Sequence, residues 1–340
     1  MRETVTTVDA ANPETDSAAA AAARGPSRVA EILAIPWVGV LGVILLLAVF
    51  MTFKTGAIFL SSDNLSSVAL DFSYIAMAAL GSAIVIIGGG IDLSVGANMA
   101  LTGLLTALAI SAGWPIPLAV AAGLGVGVLA GVLNALLITG IGLIPFIATL
   151  GTMSIFRGLG TGIVSGQTVN AANNFTVIGQ GYWGPVPISA VILFALTALT
   201  AFLMNNTAWG RHIYAVGGGE SAARLCGINV KRVKWMMYIA ASILGAIGGI
   251  VLAARLGSAT PSNALGYELI CIAAAVIGGA SLTGGEGTMV GVLIGAALLA
   301  LIRNSLDILG WGEYWQDLII GATIVITVSF DQLRRRLRRV

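Results

Sequence analysis

The stretch 87–96, IGGGIDLSVG, places an aspartate, a serine and four glycines between two long apolar runs. An ionisable side chain set among hydrocarbon is costly and marks a functional position in a membrane segment. Glycine tolerates backbone angles and close approaches that other residues resist. The stretch therefore predicts a helix that stops, turns and resumes. Broken backbone of this kind survives in a bilayer only where protein or a water-filled cavity covers it. It belongs to a translocation path rather than to a plain anchor. Gly89, Gly90, Asp92, Ser94 and Gly96 are the candidate break residues, with Asp92 expected as the N-cap of a helix starting near Leu93.

The rest of the chain supplies the membrane. It is 57% hydrophobic and only 9% charged, where a soluble domain carries about 25% charged residues. At about 20 residues per crossing, the apolar runs predict ten spans: 35–53, 68–87, 95–112, 117–138, 144–159, 186–204, 235–254, 268–282, 287–302 and 316–330. The expected fold class is all-α, a polytopic membrane protein of about ten helices, some broken. Residues 1–32 read as a disordered cytoplasmic tail, 33–332 as the transmembrane domain, and 333–340 as a basic cytoplasmic tail.

Charge placement orients this domain. Thirteen of the seventeen Lys and Arg residues fall in the N-terminal tail, in the loop 205–234 and in the C-terminal tail. The positive-inside rule puts all three in the cytoplasm. Six predicted spans precede the loop and ten precede the C-terminal tail, so both even counts agree with an inner N-terminus. The polar segment 160–185, free of Lys and Arg, then lies outside.

Glycines inside spans allow backbones to approach closely. Gly123, Gly127 and Gly131 repeat four apart, as do Gly245 and Gly249, and structural packing is their expected role. A weak internal echo joins 87–103 (IGGGIDLSVGANMALTG) to 277–293 (IGGASLTGGEGTMVGVL) at an offset of 190. Internal repeats with interrupted segments are common in transporters.

The cytoplasmic loop 205–234 contains GGGESAARLCGI. Glu220 suits the positive end of a short helix, the following residues allow about two turns, and Gly227 stands where a C-cap glycine belongs. Such a helix is either a rigid knob for a cytosolic partner or a solvated connector on the lipid surface. The glycines lack the G-K-[ST] ending of a phosphate loop, so this chain is expected to bind no nucleotide. Paired carboxylates, a metal cluster and a nucleophile with its base are all missing from the sequence pattern. His212 stands alone, and Cys226 and Cys271 suit free thiols. The chain is not expected to be an enzyme, and neither a resident cofactor or metal nor nucleic acid is expected.

Three stretches carry a resemblance: GGGIDLSVGANMALTG (88–103), GLIPFIATLGTMSIFRGL (142–159), and GRHIYAVGGGESAARLCGINVKRVK (210–234) followed by IGGASLTGGEGTMVGVLIGA (277–296). With these the chain resembles, from about residue 35 to 335, the permease subunits of ribose-type bacterial sugar ABC importers. The resemblance implies the ABC importer permease fold in the inner membrane, a second permease copy as homodimer or heterodimer, a cytosolic ATPase that uses ATP-Mg, and a periplasmic sugar-binding protein. It implies that 218–227 is the coupling helix, with Gly218, Glu220, Ser221, Ala223, Arg224 and Gly227 as coupling residues and Glu220, Ala223, Arg224 and Gly227 facing the ATPase cleft. Branched-chain amino acid permeases share the architecture, but IDLSVG and the loop favour sugar.

A neutral sugar needs weak, exchangeable hydrogen bonds. Tyr74, Asn98, Asn134, Phe146 and Thr149 are the candidate path residues, while Asn98 and Asn134 equally suit bridges between helices. Asp71, Arg157, Arg255 and Glu268 are expected near outer span ends, either receiving the binding protein or snorkelling. An ion-coupled secondary transporter is the main rival, and it would need acids or histidines near mid-bilayer.

Overall fold

The computed structural model describes residues 36–171 and 173–312, with 315, 318, 319, 321–323 and 325. The two tails lie outside the described residues, and so does more than half of the tenth expected span. Elsewhere helices dominate, in chain order α1 (Pro36–Thr55), α2 (Ser62–Ile87), α3 (Val95–Ser111), α4 (Ile116–Leu136), α5 (Pro145–Val164), α6 (Val177–Gln180), α7 (Ile188–Asn206), α8 (Ala208–Gly218), α9 (Glu220–Leu225), α10 (Val230–Leu256), α11 (Tyr267–Ile277) and α12 (Met289–Ile308). Two 3-10 turns (Gly56–Ile58 and Asn173–Thr176), one π-helical turn (Leu137–Ile141) and four two-residue strands complete the described elements. Of these, β1 (Val169–Asn170) pairs with β4 (Ser258–Ala259), and β2 (Tyr182–Trp183) with β3 (Val186–Pro187), both antiparallel. Seven helices among the described residues are long and apolar enough to cross a membrane.

Two helices form the centre. α10 packs against α2, α3 and α4, and α2 also meets α7, α11 and α12. In α2, 89% of the apolar window is buried, against 6% in α1, which leaves α1 at the periphery. Small residues make these contacts possible. A Cβ on Gly81 would come 2.7 Å from the Ala241 carbonyl oxygen, and one on Gly248 2.6 Å from that of Tyr74. The glycines of α4 serve the same end: Gly127 lies on Ala246 and Gly131 on the backbone of Ile239. In lipid, where no hydrophobic force draws helices together, such close approach is a main source of attraction.

Two of the expected spans are not full crossings. α3 has 17 residues and α11 has 11, or about 25 and 16 Å of rise against a hydrocarbon core of about 30 Å. Their positions against α10 explain why. Gly88 and Gly90 lie on Met237 and Tyr238, whereas Val95 and Asn98 lie on Gly245, and Gly103 reaches Ala253. Segment 88–94 thus climbs about 10 Å along α10 before helix resumes. On the other side, Tyr267 stacks on Tyr74 with ring centroids 6.2 Å apart, at the level of Gly248. Segment 257–266 therefore dips back from the C-terminal end of α10 before α11 begins. The first turns of the two short helices meet where Gly96 abuts Glu268.

The internal echo is real in the backbone. After α2, Gly88, Gly89 and Gly90 donate to the carbonyls of Ile84, Ile86 and Val85; after α11, Gly278, Gly279 and Ala280 donate to those of Ala274, Val276 and Ala275. Both turns carry a left-handed glycine, Gly89 at φ 78° and Gly279 at φ 97°. The same exit is built twice, at the offset of 190 seen in the sequence.

Candidate functional site

The loop 205–234 is assembled from strong local signals. Thr207 caps α8 by accepting from the amide of Gly210 at 3.4 Å, and Gly210 lies against the backbone of Met204 at the turn from α7. One face of α8 buries Ile213 and Val216. Its Tyr214 hydroxyl donates to the carbonyl of Gly287 at 2.8 Å. α9 then runs Glu220–Leu225 and closes as expected of a helix followed by a left-handed glycine: Ile228 donates to Ala223, Gly227 donates to Arg224, and Gly227 has φ 80°. Asn229 starts α10 by accepting from Arg232 at 3.0 Å.

Within α9 the structure corrects the expected outward set. Ala223 is buried in the main core, so its methyl faces the protein and not a partner. Glu220 turns back toward the membrane domain: its carboxylate accepts from Lys234 at 2.7 Å and from Arg224 at 2.9 Å. The Lys234 hydrogen bond is the main cause holding its carboxyl below the usual carboxylate range; the Lys234 charge and Arg224 add to it, and partial burial opposes it. Gly218, Ser221, Arg224 and Gly227 are exposed. The sequence reading missed Leu225, which is 90% exposed at the tip. A leucine left bare between polar neighbours was the available signal.

Asp92 does not cap a helix. α3 starts at Val95, and Asp92 instead accepts from the amide of Ser94 at 2.8 Å and from its hydroxyl at 2.6 Å. This closes a side-chain turn one step earlier. From there a buried chain of bonds crosses the domain. Asn134 Nδ2 donates to Ser94 Oγ at 2.9 Å, and Thr152 Oγ1 donates to Asn134 Oδ1 at 2.6 Å. Segment 88–94 is thereby held to α4 and α5. The second break has a counterpart, with the Thr283 amide donating to Ser281 Oγ at 3.3 Å.

The expected path residues line neither of the two cavities that border the loop 205–234. Tyr74, Asn98, Asn134 and Thr149 are buried, and their visible bonds and contacts join helices or close local turns. Asn98 Nδ2 donates to the Ser242 carbonyl at 2.8 Å, and Thr149 Oγ1 donates to the Pro145 carbonyl at 2.9 Å. Phe146 points the other way and is 49% exposed. Polar side chains that bridge helices and polar side chains that greet a sugar have the same composition, which is why the sequence did not separate them.

The outer charges also sort differently from expectation. Arg255 pairs with Asp71 at 3.0 Å. Arg157 is half-buried, donating to the carbonyls of Pro261, Asn263 and Ala264 and so holding segment 257–266 in place. Glu268 sits against Gly96 rather than at an outer rim. The segment expected outside is folded over its residues 173–185: Phe175 is fully buried, Gly179 rests on the backbone of Arg255, and Tyr182 and Trp183 stay exposed.

A family profile described as "Branched-chain amino acid transport system / permease component" matches residues 64–328. The chain is similar to the ribose import permease protein RbsC of Bacillus subtilis, 39% identical over 277 residues, which covers 81% of this chain and 86% of the relative. It is 36% identical to RbsC of Escherichia coli K12 over 300 residues, covering 87% and 93%. It is 32% identical to the xylose transport system permease protein XylH of Haemophilus influenzae over 350 residues, covering 84% and 93%. No solved structure matches the chain.

Proposed function

This chain belongs to the family of transport-system permease components, and from that premise we propose that it is the membrane subunit of an ATP-driven importer for a monosaccharide of the ribose type. Its relatives are transport components and not catalytic enzymes, and its apolar helices make it a multi-pass membrane protein. One observation carries the sugar assignment: the match to ribose and xylose permeases runs over more than four fifths of the chain. The family description names amino acids, yet these relatives are named for sugars. In this reading the protein sits in the inner membrane with both termini in the cytoplasm. It pairs with a second permease copy, receives sugar from a periplasmic binding protein, and is worked by a cytosolic ATPase that holds the ATP-Mg.

The work would enter through α9. Closure of the ATPases on ATP displaces this short helix, and α8 and α10, to which it is joined on either side, carry the displacement inward. The exposed face of Ser221, Arg224, Leu225 and Gly227 supports the contact, and the Glu220–Lys234 bond keeps the lever attached to a span. Lipid covers the exposed apolar face of α1.

The test is reconstitution in liposomes with the ATPase and binding protein. Ribose or xylose should enter with ATP consumption and leucine should not. Uptake by the chain alone, or uptake that ignores ATP but follows the membrane potential, would point to the secondary-transporter class instead.

A further inference from the structure

Three glycine-bearing turns, distant in sequence, meet at one point beside α8. They are the exit of α2, the last turn of α8 and the approach to α12. The amide of Gly285 donates to the carbonyl of Ile87 at 2.8 Å. Gly217 fills the angle between them: a Cβ there would collide with the Ile87 carbonyl oxygen and come 2.7 Å from the Gly285 nitrogen. On the other side, a Cβ on Gly284 would lie 2.5 Å from the Gly217 carbonyl oxygen, and one on Gly285 2.8 Å from the Gly218 Cα. Tyr214 adds its bond to Gly287. The contacts of Gly217, Gly284 and Gly285 are backbone on backbone, so no side-chain rotamer lies between those segments to absorb a displacement.

The junction is tight on one flank and loose on the other. A cavity of about 180 Å³ adjoins it, lined among others by Gly89, Gly217, Lys234 and Tyr238. The Tyr238 hydroxyl, beneath Gly90, is buried without a hydrogen-bond partner. The cavity is open on one side, with the Glu220 and Lys234 side chains on its wall, so it is continuous with the polar loop and not a sealed void. The segments that border it are therefore unpacked on that flank, which leaves room for α8 to shift against the two turns.

We infer that Gly217 is a positioning residue that gears α8 and α9 to both helix breaks at once. Movement of the cytoplasmic lever displaces the turn after α2, which leads into α3, and the turn before α12, which follows α11. The two short helices, whose first turns meet at Gly96 and Glu268, then shift together. This inference rests on the reading that α9 docks the ATPase.

The test uses the reconstituted complex and measures sugar moved per ATP hydrolysed. Gly217→Ala should keep the wild-type KM for ATP and the basal hydrolysis rate, while the sugar-to-ATP ratio drops at least about fivefold, the low end of ordinary coupling between sites. Ala215→Leu, on the exposed side of the same helix, should keep the ratio. A wild-type ratio in Gly217→Ala overturns the inference. Should that variant not assemble, Tyr214→Phe decides, because it removes a single hydroxyl: a lowered ratio supports the gearing and an unchanged one overturns it. Leu225→Asp separates the two readings. Loss of ATPase stimulation there leaves the docking reading standing whatever Gly217 does, and a normally stimulated Leu225→Asp complex removes both.

Discussion

Lys234 Nζ lies 2.7 Å from Glu220 Oε2, joining the short helix α9 to the first turns of the central span α10. The lysine is mostly covered and the glutamate about half exposed. Such a pair is worth about 0–1 kcal/mol in stability, so in the proposed coupling its part is mechanical. Lys234→Met should leave thermal unfolding of the detergent-purified protein nearly unchanged and lower sugar-stimulated ATP hydrolysis in the complex. Unchanged stimulation would show that the pair transmits nothing.

The same pair predicts a pH response. The folded carboxyl of Glu220 titrates below its unfolded value. A depressed carboxyl contributes attachment that is complete above the unfolded pKa, about 4.3, and is lost as pH falls through the folded one. Hydrogen exchange in α9 should therefore be flat near neutrality and rise in acid, beyond the intrinsic pH dependence of exchange. Glu220→Gln should exchange faster at neutral pH and show no such rise.

Two neighbours on α9 should separate folding from docking. Ala223 is buried and Leu225 is bare. Ala223→Glu forces a charge into the core and should detach α9, read as proteolytic sensitivity of the loop and loss of ATPase assembly. Leu225→Ser should leave protease resistance intact and weaken assembly alone.

The glycines divide by what surrounds them. Gly249 faces the Met99 backbone, whereas a Cβ on Gly125 would meet nothing within 4 Å. Gly249→Ala should destabilise by about 1–3 kcal/mol through overpacking. Gly125→Ala should be neutral or gain up to about 1 kcal/mol of helix propensity. Thermal unfolding of the two variants in one detergent reads the difference.

Asn134 tests the corrected view of the expected path. It accepts from Thr152 and donates to Ser94. Asn134→Ala should cost about 1–3 kcal/mol, because buried groups lose their partner, and should leave the sugar concentration for half-maximal uptake unchanged. A large rise in that concentration with normal stability would return Asn134 to the path.

The break at 87–96, the exit turn it shares with 277–280, and the helix with its closing Gly227 were all readable as sequence, since each is set by a few adjacent residues. The short lengths of α3 and α11 were not. Their apolar runs look like spans, and Gly, Ala and Ser cover extended backbone as well as helix. The buried side of α9 was hidden for a related reason. Six residues make less than two turns, too few for a periodic pattern to declare its inner face.

Hydrocarbon content acts residue by residue, and so the chain alone determined that this is a many-helix membrane protein with a polar loop between its sixth and seventh apolar runs. Which groups touch was decided by the tertiary structure. Asp92 binds Ser94 and not a helix end, Asn134 bridges and does not line, and Gly217 meets Ile87 and Gly285, because backbone-to-backbone contacts depend on three-dimensional closure and a glycine carries no side chain to announce its partner.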